Sequence, residues 1–169
     1  MAGGWAYRGV VKPPGNEWSA RKRQMYAGGH PSEAAKQIHR RFADGPLPRL
    51  LPIAAVVHVH GRHSGRLIRV PVVVVLYRWH WYTVSMLGED SNWVRNVRAS
   101  GGDVELTHGR RRTVHFTEIP VAQRAPIIKR YLTVAFGARP HIPVRWSDPP
   151  SAFVKIAADY PTFRIDRRH

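Results

Sequence analysis

The chain contains no cysteine. Disulfides, thiolate nucleophiles and Cys-ligated zinc therefore lie outside its chemistry. It is also poor in acid, with 11 Asp and Glu against 27 Lys and Arg and a formal net charge of +16. No apolar run approaches the roughly 20 residues a membrane-spanning helix needs. The longest, residues 70–77, is strand-sized. Residues 1–23 mix Gly, Pro, Trp, Arg and Lys and lack the apolar centre of a signal peptide. A cytoplasmic location is the expectation. There is no G-x-S-x-G elbow, and Asp90, Asp103 and Glu105 form no evident carboxylate pair. Side-chain hydrolysis is thus poorly supplied, and an enzyme of this composition would borrow its chemistry from a cofactor.

What is present is enough for one domain: 169 residues, 43% of them hydrophobic. Residues 1–30 read as a basic, Gly- and Pro-rich arm, with Trp5, Tyr7, Trp18 and Tyr26 available to dock part of it. Residues 31–169 read as the folded domain. Ser32 is a good N-cap, Ala34, Ala35, Ile38 and Phe42 fall at helical spacing, and Gly45-Pro46 ends that helix.

Strands follow at residues 54–60, 67–77, 80–86, 104–108 and 113–119, with a short last strand over 161–165. The turn 61–65 makes the first two a hairpin, and Gly109-Arg110 makes another. The continuous valine run at 70–75 predicts burial on both faces. Helices are expected at 90–100, 122–136 and 150–158, with Trp93 and Val97 packing inward and Pro126 confined to a first turn. His80 and His108 read as surface strand residues. The pattern gives an α+β fold, mainly β: a barrel with short helical decorations.

Two stretches carry candidate chemistry. The first is G-R-H-S-G-R at 61–66, followed by Arg69. Its glycines permit positive φ, so successive N–H groups can converge, and its guanidinium groups suit phosphate. The same pattern fits a hairpin turn with solvated arginines equally well. The second is S-N-W-V-R-N-V-R at 91–98. Asn96 could bond the edge of a heteroaromatic ring and Trp93 could wall a site. Taken alone, the stretch reads first as a helix packing one Trp into the core. The net charge admits nucleic acid, an anionic lipid surface or an acidic small molecule as partners, without choosing. Ten histidines raise the question of metal, but His58, His60 and His63 have few acidic neighbours, and no metal site is expected.

Taken together and in order, these motifs resemble the deazaflavin-dependent nitroreductase family of flavin/deazaflavin oxidoreductases. They are G-R-H-S-G-R, then R-V-P, a strand pair, a W-x-x-N helix and R-A-S-G-G-D-V-E-L. The resemblance covers residues 50–119 well and continues weakly to the C-terminal P-H-I-P-V and Y-P-T-F-R-I. It implies an FMN-binding-type split β-barrel and coenzyme F420, a deazaflavin with a phosphate and an oligoglutamate tail. FMN is the alternative cofactor. By position, Arg62, His63, Ser64, Gly65 and Arg66 would cradle the phosphate and tail. Arg69 and Pro71 would lie along the coenzyme, and Ser85 and Met86 would approach the ring. Asn96 would contact the coenzyme and Trp93 would line the substrate side. No side chain would be catalytic in its own right, since the coenzyme carries the hydride.

The implied activity is an oxidoreductase acting on a small organic acceptor of nitro or quinone type. A non-catalytic ligand-binding barrel is the alternative, and a nucleic-acid-binding barrel the third reading. A second copy of the chain is an admissible partner. The chain departs from the family at His63, where Lys or Arg is usual, and at Val94, where a Tyr is common. The loop between Ser85 and Trp93 is also short.

Overall fold

A computed structural model describes residues 52–168. The N-terminal arm and the helix expected after Ser32 lie outside the described residues. Six strands are present: β1 (Ala54–His60), β2 (Leu67–Tyr77), β3 (His80–Val84), β4 (Asp103–His108), β5 (Arg110–Glu118) and β6 (Thr162–Arg167). They close into one barrel in the order β1-β2-β3-β6-β5-β4, every neighbour antiparallel. Closure removes the sheet edges that would otherwise invite aggregation. Three helices accompany it: α1 (Asn92–Ala99), α2 (Val121–Val134) and α3 (Pro150–Ile156). This is the mainly β, helix-decorated barrel that the sequence pattern indicates.

Two cores form because strand side chains alternate between the faces. Ala55, Val57, Val59, Val74, Val104, Leu106, Val114, Phe116 and Phe163 fill the barrel, joined by Val94 and Val97 of α1. Val75, Tyr82 and Val84 point the other way and meet Ile127, Ile128, Tyr131 and Leu132 of α2 and Phe153 of α3. Val74 and Val75 are consecutive and both buried, one in each core, so the valine run serves two layers at that point. Elsewhere the run is only half-buried.

Several expectations need correction. Pro126 is not in a first turn; it is the sixth residue of α2. It is tolerated because it lies on the exposed side of the helix, where water can serve the carbonyl that the missing N–H would have met. The third strand stops at Val84, since the Ser85 N–H turns to the Pro161 carbonyl, 2.8 Å away. The strand after Pro161 runs on to Arg167, because β5 offers partners down to Val114. His108 is half-buried, packed on Trp81 with centroids 4.7 Å apart, and its Nε2 lies 2.8 Å from the Pro52 carbonyl. Within α1 the buried residues are Val94, Asn96 and Val97, while Trp93 is half-buried.

The β2–β3 connection has only two residues, Arg78 and Trp79, between the paired Tyr77 and His80. Their φ angles are 45° and 68°. Two positive values in a two-residue loop match the right-handed twist of the flanking strands. Glycine or asparagine is the usual occupant; here an arginine and a tryptophan hold the conformation.

Candidate functional site

Strands alternate in direction around the barrel, so one end collects the turn after β1, the loop after β3, α1, the start of β4 and the end of β5. This upper end is where the sequence motifs meet. The turn 61–66 begins beyond the His60–Leu67 pair. The Gly65 N–H donates to the Gly61 carbonyl at 2.8 Å, and the Gly61 N–H to the Arg66 carbonyl at 2.9 Å. Gly65 has φ +63°. A Cβ on Gly61 would come within 2.6 Å of Ser64 Oγ, so a larger residue there would make the Ser64 side chain turn away. Ser64 Oγ accepts the Arg66 N–H at 3.4 Å. Arg62, His63, Ser64, Gly65 and Arg66 are all exposed.

Helix α1 caps this end. Its valines enter the barrel, and the turn between them places Asn96 under the loop at 3% exposure. Asn96 Oδ1 accepts two hydrogen bonds from one residue: the Arg62 N–H at 3.2 Å and Arg62 Nη1 at 3.0 Å. The basic turn and the capping helix are therefore one unit. Trp93 leans on Phe163, with centroids 5.6 Å apart, and Phe163 contacts Phe116 at 5.9 Å.

A charge network braces the far side of the helix. Arg98 binds Glu89 and also Glu118, the latter at 2.8 and 2.7 Å. Glu118 is shared with the buried Arg124 at 2.9 Å. The Arg98 guanidinium holds the Glu89 carboxyl below its usual range. Arg124 also donates to the Ile119 carbonyl at 2.8 Å and the Ala157 carbonyl at 3.4 Å. Nothing in the spacing of Arg98, Glu118 and Arg124 announced this bracing, because its members come from three separate elements.

The remaining expected residues are spread more widely. Ser85 is buried, and its hydroxyl donates to the Gly88 carbonyl at 2.8 Å. Met86 is half-buried against the helical core. Arg69 and Pro71 lie on the outer face of β2, opposite His58 and Val56. Val94 is fully buried in the barrel. A separate groove of about 360 Å³ lies between the β2–β3 hairpin and α2, lined by Tyr77, Arg78, Tyr82, Gln123 and Pro126 among others. It uses none of the expected coenzyme residues. No cluster of three His, Asp or Glu suited to a metal occurs among the described residues.

Nothing in the sequence around His58 marks it as buried, yet it is 8% exposed on the outer face of β1. Its Nε2 is 2.9 Å from Thr107 Oγ1, and Nδ1 has no hydrogen-bond partner. Burial, then the charge of Arg111, push its pKa below 6.5, with Glu105 opposing.

No family model matches the chain, and no curated protein does. Among solved structures it is similar to a FAD-binding protein from Mesorhizobium loti, at 14% identity and TM-score 0.45, covering 80% of this chain and 90% of that one. A conserved hypothetical protein from Mycobacterium tuberculosis is similar at 13% identity and TM-score 0.43, covering 82% and 81%. A domain-swapped dimer is similar at 17% identity and TM-score 0.47, covering 79% and 96%. Likeness at this level carries no statement about ligand or activity. The functional reading has to rest on the site itself.

Proposed function

We propose that the upper end of the barrel binds an anionic flavin-type coenzyme, F420 first and FMN second, for hydride transfer to a small nitro- or quinone-type acceptor. The supporting observation is the bond pair from Arg62 to Asn96, which makes the arginine turn and the ring-side helix a single preorganised unit. The residues suit an anionic group. Arg62, His63 and Arg66 have no carboxylate partner among the described residues, and the turn leaves the His63 and Ser64 N–H groups out of its own bonds. Charge-assisted bonds of this type are worth roughly 1.5–3 kcal/mol each, so two of them change affinity by orders of magnitude.

In this reading Arg66, His63 and Ser64 hold the phosphate or tail, and Asn96 acts as a positioning residue that aims Arg62. Arg69 and Pro71 extend the contact, Ser85 and Met86 shape the loop beside the ring, and Trp93 walls the acceptor side. The bound coenzyme would supply the hydride. The chain's own work is to bind, orient and exclude water.

Val94 favours a second reading. It is fully buried in the barrel, so this position presents no side chain to an acceptor. That suits a protein which holds the coenzyme without turnover.

Titration of the whole chain with F420 and FMN in parallel tests both. Wild type should bind F420 in the micromolar range or tighter, and Arg66→Glu should weaken it at least tenfold. Asn96→Ala should weaken it less while loosening the turn. Absence of binding by either coenzyme up to high micromolar removes the assignment. Binding without oxidation of the reduced coenzyme across an acceptor panel selects the second reading.

A further inference from the structure

The opposite end of the barrel carries features that coenzyme binding does not use. Two hairpin tips project there, Arg78-Trp79 after β2 and Gly109 after β4, together with the end of β6. Trp79 is 92% exposed, the most exposed of the large apolar side chains described. It sits at φ 68°, beside Arg78 at 45°. Among the described residues, nothing in the packing accounts for a side chain this exposed held in a conformation that favours glycine.

Across the same end lies a set of arginines. Val114 and Phe116 of β5 point into the barrel, so Arg112 and Arg110 follow in the same phase at its mouth. Phe163 and Ile165 of β6 point inward too, which brings Arg167 to that mouth, and Arg167 is the cross-strand partner of Val114. All three arginines are exposed, as is Arg78. None has a carboxylate partner among the described residues; Glu105 and Asp103 are taken by Arg111 and Arg168, each at 2.5 Å. Like charges that share one end of a barrel disfavour one another unless an anion joins them.

We infer that this lower end docks on an anionic lipid bilayer, with the arginine mouth taking headgroup anions and the Trp79 indole entering the headgroup layer. Tryptophan favours that interface because its ring is apolar and its N–H can stay wet. Two hairpin tips at one end of a rigid barrel present together to a plane. A single-stranded nucleic acid would call for a row of stacking faces along a basic groove. Among the described residues this end offers a single projecting indole.

Co-sedimentation of the full chain with phosphatidylcholine vesicles, alone or with phosphatidylserine added, tests the inference. Wild type should bind only the phosphatidylserine vesicles, and less as salt rises. Arg110→Glu/Arg112→Glu should lower partitioning at least tenfold. Arg78→Asn/Trp79→Gly restores standard turn residues, so it keeps the fold while removing the anchor, and it should also bind less. Arg95→Glu/Lys155→Glu makes the same change in net charge at exposed residues away from this end and outside the proposed coenzyme site, and should bind nearly as wild type. Equal loss in that control would mean diffuse charge and overturn the inference. So would undiminished binding by the two lower-end variants, or displacement from vesicles by an oligonucleotide that contacts Trp79.

Discussion

Single residues show how far a side chain's role depends on its surroundings. His58 is a strand histidine with a sequence neighbour, His60, on the same face, yet it is buried while His60 is exposed. Burial and Arg111 lower its pKa, so the folded state prefers neutral imidazole. The unfolded chain therefore takes up this proton first as pH falls. The stability linked to His58 is intact above about pH 6.5 and is lost as pH drops through that value toward the folded pKa. Denaturant unfolding at pH 7.5 and 5.5 should show a smaller loss in His58→Gln than in wild type, with the other histidines common to both. An equal loss in the two proteins would remove His58 as the group responsible. Asn96 makes the complementary point: its carbonyl oxygen is committed to Arg62, a partner that spacing along the chain does not name.

At the scale of elements, the hairpins were the most legible part of the chain. β1 and β2 match the alternation in the sequence to the residue, because β-branched runs bounded by glycine leave little choice. Helix ends and the fate of Pro126 were less legible, since tertiary packing decides which turn a proline occupies. The Arg78-Trp79 loop is the least ideal connection described, with two non-glycine residues at positive φ. Such residues cost about 1 kcal/mol or more each. Arg78→Asn/Trp79→Gly should accordingly raise stability by about 1 kcal/mol, measured as a higher denaturant midpoint at unchanged slope. A lower midpoint would mean that Trp79 does structural work for the fold.

For the whole molecule, the decisive relation is between the barrel and its helical layer. Arg124 joins them: it reaches Glu118 at the end of β5, the Ile119 carbonyl, and the chain after α3. Its side chain is 7% exposed, so its charge depends on these partners. Arg124→Ala leaves Glu118 with Arg98 alone and opens a cavity; the expected cost is about 3–5 kcal/mol. Arg124→Met, which keeps the volume, should cost less. If thermal unfolding finds the two variants equal and near wild type, the layer is held by apolar packing alone.

The sequence by itself determined the barrel class, the hairpin partners and the basic, cysteine-free surface. These follow from local alternation, turn residues and charge count, which need no long-range information. Only the tertiary structure decided that Arg62 would meet Asn96, that Arg98, Glu118 and Arg124 would form one network, and that Arg110, Arg112 and Arg167 would lie toward the end of the barrel that carries the Arg78-Trp79 turn. Those juxtapositions arise when strands of fixed register close on themselves, and closure brings together residues that no periodicity along the chain relates.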